Sequence, residues 1–331
     1  LDSHGSMDTH MRIFHRGWTH LLMLLLATLP LAGIAQASDT GPKARVHGGE
    51  GKAERPRIAL VLSGGGAKGA AHIGVLKVLE EKRIPVDIVV GTSMGSYVAG
   101  MYAMGLSAEE VERMTLAIDW NKGYQDKVGR DELSLRKKQQ SEKYQLRTDI
   151  GVNGDQTQLP DGFFQGQSMA SLLRHATSNL PAQKSFDDLP IPYRAMATDM
   201  ETVTPFVLDH GSLAKAMQAS MSIPGALKPV EWEGHILADG GTVNNMPVDV
   251  AKAMGADVVI AVDIGAKLRT RESLKSGLAM IDQLTTYMTQ VGTEKQKALL
   301  GPKDVLLSPE FGDMGIADFA RMPEGIKQGE A

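Results

Sequence analysis

The sequence predicts an α/β protein, a three-layer α/β/α fold with a mostly parallel central sheet. A continuous apolar run at residues 58–62 is typical of a parallel strand that is buried on both faces. A glycine loop and a helical apolar pattern come next, and a second apolar run at 88–90 leads into another glycine-containing turn. Strand, helix and strand in this order predict a βαβ unit.

The rest of the chain continues this alternation. The predicted helices cover residues 107–118, 167–179, 212–221 and 247–254, and the predicted strands cover residues 193–198, 203–208, 236–238, 258–264 and 305–307. The connection between the first two of these strands is short, so we expect them to be antiparallel.

A longer helix is predicted between residues 274 and 300. Its apolar residues recur at a spacing close to that of a heptad: Leu274, Ile281, Leu284, Met288 and Val291. We expect this stripe to pack on the sheet, and the alternative is the seam of a homodimer.

Composition excludes several classes of protein. The chain has 331 residues, of which 42% are hydrophobic and 22% charged, as in an ordinary globular protein. Its net charge of −4 gives no overall basic signal for nucleic acid. With no cysteine, the chain has no disulfides, no thiol catalysis and no cysteine metal site.

The N-terminal segment has the pattern of a secretory signal. Arg12 and Arg16 precede the apolar run Leu21–Leu31, and Ala35-Gln36-Ala37 is a typical cleavage site. The run is short for a membrane span, although an uncleaved anchor is the alternative. We therefore expect an exported protein, secreted or at the cell surface, that begins near Ser38.

These patterns divide the chain into five segments. We expect an expression-tag remnant at 1–6, a signal peptide at 7–37, a flexible leader at 38–55, one α/β domain at 56–310, and a polar tail at 311–331 that leads towards a missing downstream region.

A basic stretch interrupts the domain. Eight basic and four acidic residues lie between Lys122 and Arg147. A solvated excursion is the simpler interpretation, and a basic lid or rim that meets anionic lipid headgroups is the other. Phe163 and Phe164 are nearby, and we expect them to be buried.

The pentapeptide Gly91-Thr-Ser93-Met-Gly95 predicts a sharp strand-to-helix turn that presents the Ser93 hydroxyl. A serine nucleophile needs a base and amide donors for the oxyanion. The N–H groups of Gly64, Gly65 and Gly66 could be such donors, and Lys68 could add a positive charge.

The glycine loop, which ends at Gly69, also matches a dinucleotide-binding pattern. That interpretation needs an acidic residue at the end of the next strand, and Asp87 begins its strand instead. No Lys-Ser or Lys-Thr follows the loop, so it is not a P-loop either. We therefore expect no nucleotide.

Two candidates for the base remain open. In an α/β-hydrolase the histidine follows the serine and the acid, so His235 with an acid such as Asp199 would complete a triad. Asp239 is the other candidate, because it closes a strand and precedes Gly240 and Gly241, which would place its carboxylate at the carboxyl edge of the sheet.

Three motifs together make the resemblance specific. Gly64–Gly69, Gly91–Gly95 and Asp239-Gly240-Gly241 resemble, in this order, the motifs of the patatin-like phospholipases. The resemblance covers residues 57–309. It implies a patatin-like fold and a Ser–Asp dyad, with Ser93 as nucleophile, Asp239 as base, and an oxyanion hole at Gly64, Gly65, Gly66 and Lys68. Neither metal nor cofactor is implied.

The expected activity is hydrolysis of glycerophospholipid esters, with a phospholipid membrane or lipid as partner. The signal peptide and the C-terminus also resemble the secreted passenger of patatin-type autotransporters, which implies phospholipase A1 chemistry. A catalytically inactive lipid-binding module is the alternative from another functional class.

Overall fold

The computed structural model describes residues 55–125, 151–153, 156–158, 165–265, 268, 270, 271, 274 and 277–331. The predicted signal peptide and nearly all of the leader lie outside these residues, as do Phe163, Phe164 and most of the basic stretch. The predictions for these segments stay predictions.

One mixed sheet forms the centre of the fold. Its strands are β1 (Ile58–Leu62), β2 (Ile88–Thr92), β5 (Tyr193–Asp199), β6 (Thr204–Leu208), β7 (Val230–Trp232), β8 (His235–Asp239), β9 (Val258–Val262) and β10 (Val305–Leu307). The order is β10–β9–β1–β2–β5–β8–β7, and β6 also pairs with β5. The first five strands in this order are parallel, and β6, β7 and β8 pair antiparallel. The predicted mostly parallel sheet is confirmed.

Nine helices belong to the described part of the chain. They are α1 (Ala70–Glu81), α2 (Met94–Ala103), α3 (Ala108–Ala117), α4 (Trp120–Gln125), α5 (Gln167–Ala176), α6 (Leu213–Ser220), α7 (Val248–Ala253), α8 (Gly277–Lys297) and α9 (Met322–Glu330). The short strands β3 (Gly151–Asn153) and β4 (Gln156–Gln158) form a separate antiparallel pair. No helix described here is both long and apolar enough to cross a bilayer.

The sheet separates two apolar clusters, which explains the continuous apolar run of β1. Leu60 and Leu62 pack on the side of α1 and α2, whereas Ala59 and Val61 pack on the side of α7. Successive side chains of a strand point to opposite faces, so a strand covered on both faces has no polar position.

Helix α8 is where the structure departs most from the predicted packing. Leu284, Met288 and Val291 are 63%, 43% and 38% exposed, so this part of the stripe does not pack on the sheet. The opposite face is the buried one, where Thr289 donates a hydrogen bond to a backbone carbonyl and Thr293 is only 4% exposed. Periodicity located the helix but gave the wrong face, because hydroxyl groups satisfy backbone polar groups that an apolar face could not. The homodimer seam stays a prediction.

The polar tail predicted after residue 310 is wrong. Residues 322–330 form α9, which packs closely against α1, with Met322 and Ile326 almost fully buried. The contact is made backbone to backbone, because Gly74 faces the carbonyl of Ile326 and Gly329 faces Ala71. Glycine contacts leave no apolar period in the sequence, so the sequence pattern does not predict this helix.

Candidate active site

Ser93 lies on a strained turn between β2 and α2, as the pentapeptide predicts. Its backbone has φ 54° and ψ −126°, a region that a residue with a side chain rarely adopts and that costs about 1–3 kcal/mol. A side chain at Gly95 would collide with the backbone of Leu62, so the turn requires glycine there. The Ser93 N–H donates to Ser220 Oγ at 2.9 Å, and this bond helps to hold the turn.

Asp239 reaches Ser93 because β2 and β8 end next to each other along β5. Thr92, the last residue of β2, is opposite Met196 of β5, and Asp239, the last residue of β8, is opposite the next residue, Ala197. Strand β6 occupies the other edge of β5 along this length, so β2 and β8 share one edge. Asp239 therefore arrives at the carboxyl edge on an antiparallel strand, from the direction opposite to that of Ser93.

The two side chains form a short hydrogen bond. Ser93 Oγ donates to Asp239 Oδ2 at 2.7 Å, and the Gly241 N–H donates to Asp239 Oδ1 at 2.8 Å. Both side chains are only 7% exposed. Burial raises the pKa of Asp239 to about 6, against the opposing effect of the bonds from Ser93 and Gly241. At neutral pH the carboxylate is ionised, and it is more basic than an ordinary aspartate.

The glycine loop offers fewer free amides than the sequence predicts. Gly64 N–H is already donated to Asn245, to its Oδ1 at 3.1 Å and to its backbone carbonyl at 3.3 Å. The expectation of a free Gly64 amide is therefore wrong. In contrast, no described residue accepts a hydrogen bond from the N–H groups of Gly65 and Gly66, which both line the site.

Lys68 differs from its predicted place. The side chain is 8% exposed, and its ammonium lies 5.4 Å from the ring centroid of Phe311. It is not among the residues that line the cavity next to Ser93. Packing against the C-terminal segment, which the sequence predicted as a tail, accounts for this orientation.

A cavity of about 360 Å³ opens beside the dyad. Ser93, Asp239, Gly241 and the loop glycines Gly64, Gly65 and Gly66 line it. The remaining walls come from five other segments: Asn121 and Tyr124; Ile223 and Pro224; Thr242 and Asn245; Thr285, Thr286 and Thr289; and Ile316, Ala317 and Phe319. The volume lies within the usual range of ligand pockets, about 300–1,000 Å³, and its apolar walls suit an acyl chain.

His235 and Asp199 do meet, but not at Ser93. His235 Nδ1 and Asp199 Oδ2 are 2.8 Å apart, and neither residue lines the cavity. His235 begins β8 whereas Asp239 ends it, so four residues of strand, about 13 Å, separate them. Bonds from the Glu201 N–H and from His235 lower the pKa of Asp199. The structure therefore pairs Ser93 with Asp239, and it pairs His235 with Asp199 away from the nucleophile.

Several residues of the site have roles that their residue types do not predict. Ser220 holds the Ser93 amide, Asn245 holds the glycine loop, and Thr289 contacts the turn after Asp239. The Ile316 carbonyl accepts the N–H of Ala67 at 2.8 Å and so closes the glycine loop from the C-terminal side. Serine, asparagine and threonine are common in structural roles, and any residue has a backbone carbonyl, so only the contacts identify these four.

Among the described residues, no group of three or more histidine, cysteine, aspartate or glutamate side chains is arranged to hold a metal ion. Among the residues that line the cavity, Asp239 is the one with an acidic or basic side chain.

The chain is similar to known lipid-hydrolase proteins. A family model for patatin-like phospholipase matches residues 60–252. Patatin-like phospholipase domain-containing protein 6 of Mus musculus is 37% identical over 215 residues, 64% of this chain and 14% of that protein. Lysophospholipase NTE1 of Yarrowia lipolytica is 28% identical over 287 residues, 80% of this chain and 18% of that protein. The chain thus spans a small part of the length of these curated relatives.

Solved structures are more distant. VipD from Legionella pneumophila is 14% identical with a TM-score of 0.43, over 84% of this chain and 66% of VipD. The type III effector ExoU is 17% identical with a TM-score of 0.37, over 84% of this chain and 51% of ExoU.

Proposed function

Because this chain belongs to the patatin-like phospholipase family, we propose that it is a serine acyl hydrolase that cleaves the carboxylic esters of glycerophospholipids. The observation that carries the proposal is the 2.7 Å hydrogen bond from Ser93 Oγ to Asp239 Oδ2 beside a cavity with apolar walls. A buried hydroxyl with a base in contact, on a strained turn, has the arrangement of an activated nucleophile.

In the acylation step, Ser93 Oγ attacks the ester carbonyl carbon while its proton moves to Asp239 Oδ2. The oxyanion that forms would be bound by the N–H groups of Gly65 and Gly66, which are the available amides of the loop. The ester C–O bond then breaks, and Asp239 returns the proton to the leaving alkoxide. An acyl-enzyme on Ser93 remains.

Deacylation repeats these steps with water. Asp239 takes a proton from the water molecule, whose oxygen attacks the acyl carbonyl, and then returns a proton to Ser93 Oγ as the fatty acid leaves. The raised pKa of Asp239 supports this role, because a base with a pKa of about 6 accepts a proton more readily than an ordinary aspartate does.

The substrate class rests on the cavity and on the relatives. Ile223, Ile316 and Phe319 give apolar contacts for an acyl chain near the nucleophile. Relatives with the names phospholipase and lysophospholipase support a glycerophospholipid or its lyso form as substrate. Within that class we propose A1 regiochemistry, which is supported only by the resemblance to autotransporter passengers.

We also propose that the protein is exported. The support is the signal-peptide pattern at 7–37 and the cleavage motif Ala35-Gln36-Ala37. Expression of the chain in a Gram-negative host followed by N-terminal sequencing tests it: cleavage after Ala37 is expected, and an intact N-terminus in the recovered protein would contradict it.

Hydrolysis of a phospholipid with two different acyl chains, followed by mass spectrometry of the products, tests activity and position together. We expect one fatty acid and the complementary lysophospholipid, with the sn-1 chain released first. Ser93→Ala and Asp239→Asn should each lower the rate by at least about a thousandfold, whereas His235→Gln should keep most of it.

The alternatives give different results in the same assay. Loss of activity in His235→Gln would favour a triad in which His235 moves to Ser93. A folded wild-type protein that hydrolyses no phospholipid and leaves Ser93 unlabelled by a fluorophosphonate would be a lipid-binding module, and the proposed function would be wrong.

A further inference from the structure

Helix α8 is hydrogen-bonded to the turn that follows Asp239 through the side chain of Thr289. Thr289 Oγ1 donates a hydrogen bond to the carbonyl of Gly241 at 2.9 Å. The N–H of the same glycine donates to Asp239 Oδ1 at 2.8 Å, and Asp239 Oδ2 accepts the proton of Ser93 Oγ at 2.7 Å. A continuous line of hydrogen-bonded groups therefore runs from α8 to the nucleophile.

The turn between them needs an external contact. Residues 240–242 form a single 3₁₀ turn, and two of its three residues are glycines, which have the widest choice of backbone conformation. The backbone bonds that close the turn, from the N–H groups of Val243 and Asn244, both end on the Gly240 carbonyl. Neither of them holds Gly241, whose carbonyl is held by Thr289.

The orientation of the carboxylate depends on this glycine. The terminal torsion of an aspartate is broad, so the side chain itself does not fix where its two oxygens point. The Gly241 N–H fixes Oδ1, and this leaves Oδ2 directed at Ser93. If the backbone of Gly241 changes conformation, Oδ1 loses its hydrogen-bond donor and Oδ2 is no longer held in the direction of Ser93 Oγ.

The position of α8 fits such a role. The family model matches residues 60–252, so the helix lies outside the matched residues. Its threonine face is turned to the cavity, and Gly292, one turn after Thr289, lies close to the Val243 carbonyl. The helix is thus seated directly on the residues that follow Asp239.

We propose that Thr289 is a positioning residue for the Ser93–Asp239 pair, acting through the backbone of Gly241. The inference rests on the proposed hydrolase function and adds to it a residue from outside the family match. Thr289 lines the cavity but touches neither reacting oxygen, and a valine there would keep the shape of the cavity wall, so loss of the hydroxyl should fall on the chemical step.

Three variants of the full chain test the role. Thr289→Val keeps the shape of the side chain and removes the hydroxyl, Thr289→Ser keeps the hydroxyl, and Thr293→Val is the control. Thr293 is buried one turn further along α8, where its hydroxyl bonds only the helix carbonyl of Thr289. The readouts are kcat and KM for a short-chain ester, the rate of fluorophosphonate labelling of Ser93, and Tm.

We expect Thr289→Val to lower kcat and the labelling rate by about three- to tenfold, which corresponds to one neutral hydrogen bond. KM should stay within about twofold, because valine keeps the shape of the cavity wall to which Thr289 contributes. Thr289→Ser should restore the wild-type rates, and Thr293→Val should match the wild type in rate. The Tm of Thr289→Val and of Thr289→Ser should equal the Tm of Thr293→Val.

The outcomes distinguish the two proposals. A wild-type enzyme that is labelled and active, with Thr289→Val equal to Thr293→Val, would overturn the positioning role alone. A wild-type protein that is neither labelled nor active would overturn the hydrolase and the positioning role together. A rise in KM with unchanged kcat would also overturn the positioning role, because it would make Thr289 a substrate contact.

Discussion

Ser93 Oγ and Asp239 Oδ2 are joined by a 2.7 Å hydrogen bond although β2 and β8, which present them, run in opposite directions. The two strands end at successive residues along one edge of β5, and this places the hydroxyl and the carboxylate side by side. The backbone of the sheet therefore places Asp239 next to Ser93, and the Gly241 N–H orients its carboxylate.

The first prediction concerns pH. The base must be deprotonated, and burial raises the pKa of Asp239 to about 6, so kcat/KM should fall about tenfold per pH unit below pH 6. A pH–rate profile measures this. His235→Gln should show the same acidic limb, because His235 contacts Asp199 and does not line the cavity. Full activity at pH 4 would contradict the assignment.

The second prediction is a gain in stability when the base is removed. The pKa of Asp239 is higher in the folded state than its ordinary value, so the folded state binds the proton more tightly. The stabilisation from this proton is complete below about pH 4 and is lost as pH rises through 6. Asp239→Asn carries no charge and should be more stable than wild type at pH 8, by up to about 3 kcal/mol.

Urea unfolding at two pH values checks this second prediction. The difference between wild type and Asp239→Asn should shrink at pH 4, where the carboxyl is protonated in the folded state and about half protonated in the unfolded state. The amide can still accept from the Gly241 N–H and can donate to Ser93 Oγ, so both contacts survive the substitution. An Asn variant that is less stable than wild type at pH 8 would show that burial does not dominate this site.

The third prediction compares two glycines with nearly the same backbone. Gly66 and Gly312 have φ 58° and 55°, where alanine costs about 1–2 kcal/mol. A Cβ on Gly66 would press on the Ile316 carbonyl, whereas nothing lies within 4 Å of one on Gly312. Gly66→Ala should therefore reduce activity at least tenfold, by disturbing the glycine loop and the bond from Ala67 to Ile316. Gly312→Ala should stay active, and equal activity of the two would contradict the prediction.

The fourth prediction tests whether the C-terminal helix is part of the domain. Ile326 is 2% exposed in the contact between α9 and α1, and its truncation to alanine should lower the free energy of unfolding by about 2–5 kcal/mol. Lys327, the next residue, is exposed and is the control. Chemical denaturation of both alanine variants gives the comparison. If Ile326→Ala unfolds like Lys327→Ala, α9 contributes nothing to stability.

The features of the site that lie within one short segment could be predicted from residue types. Ser93 between two glycines specifies a strained turn, and a glycine loop after a buried strand specifies exposed amides, because both depend on neighbours in the chain. The hydrogen-bond partner of each amide in the glycine loop could not be predicted. Asn245 is far from Gly64 in the sequence, and only the folded chain brings its side chain to the Gly64 N–H.

By itself the sequence determined the alternation of strands and helices, the turn that presents Ser93 and the three motifs of the dyad. Each of these is set by backbone preference and apolar period within a short segment. The tertiary structure alone decided the antiparallel approach of β8, the inward threonine face of α8 and the packing of α9 beneath the glycine loop. Those features depend on contacts between polar residues and glycines that are far apart in the sequence, and a local sequence pattern does not specify such contacts.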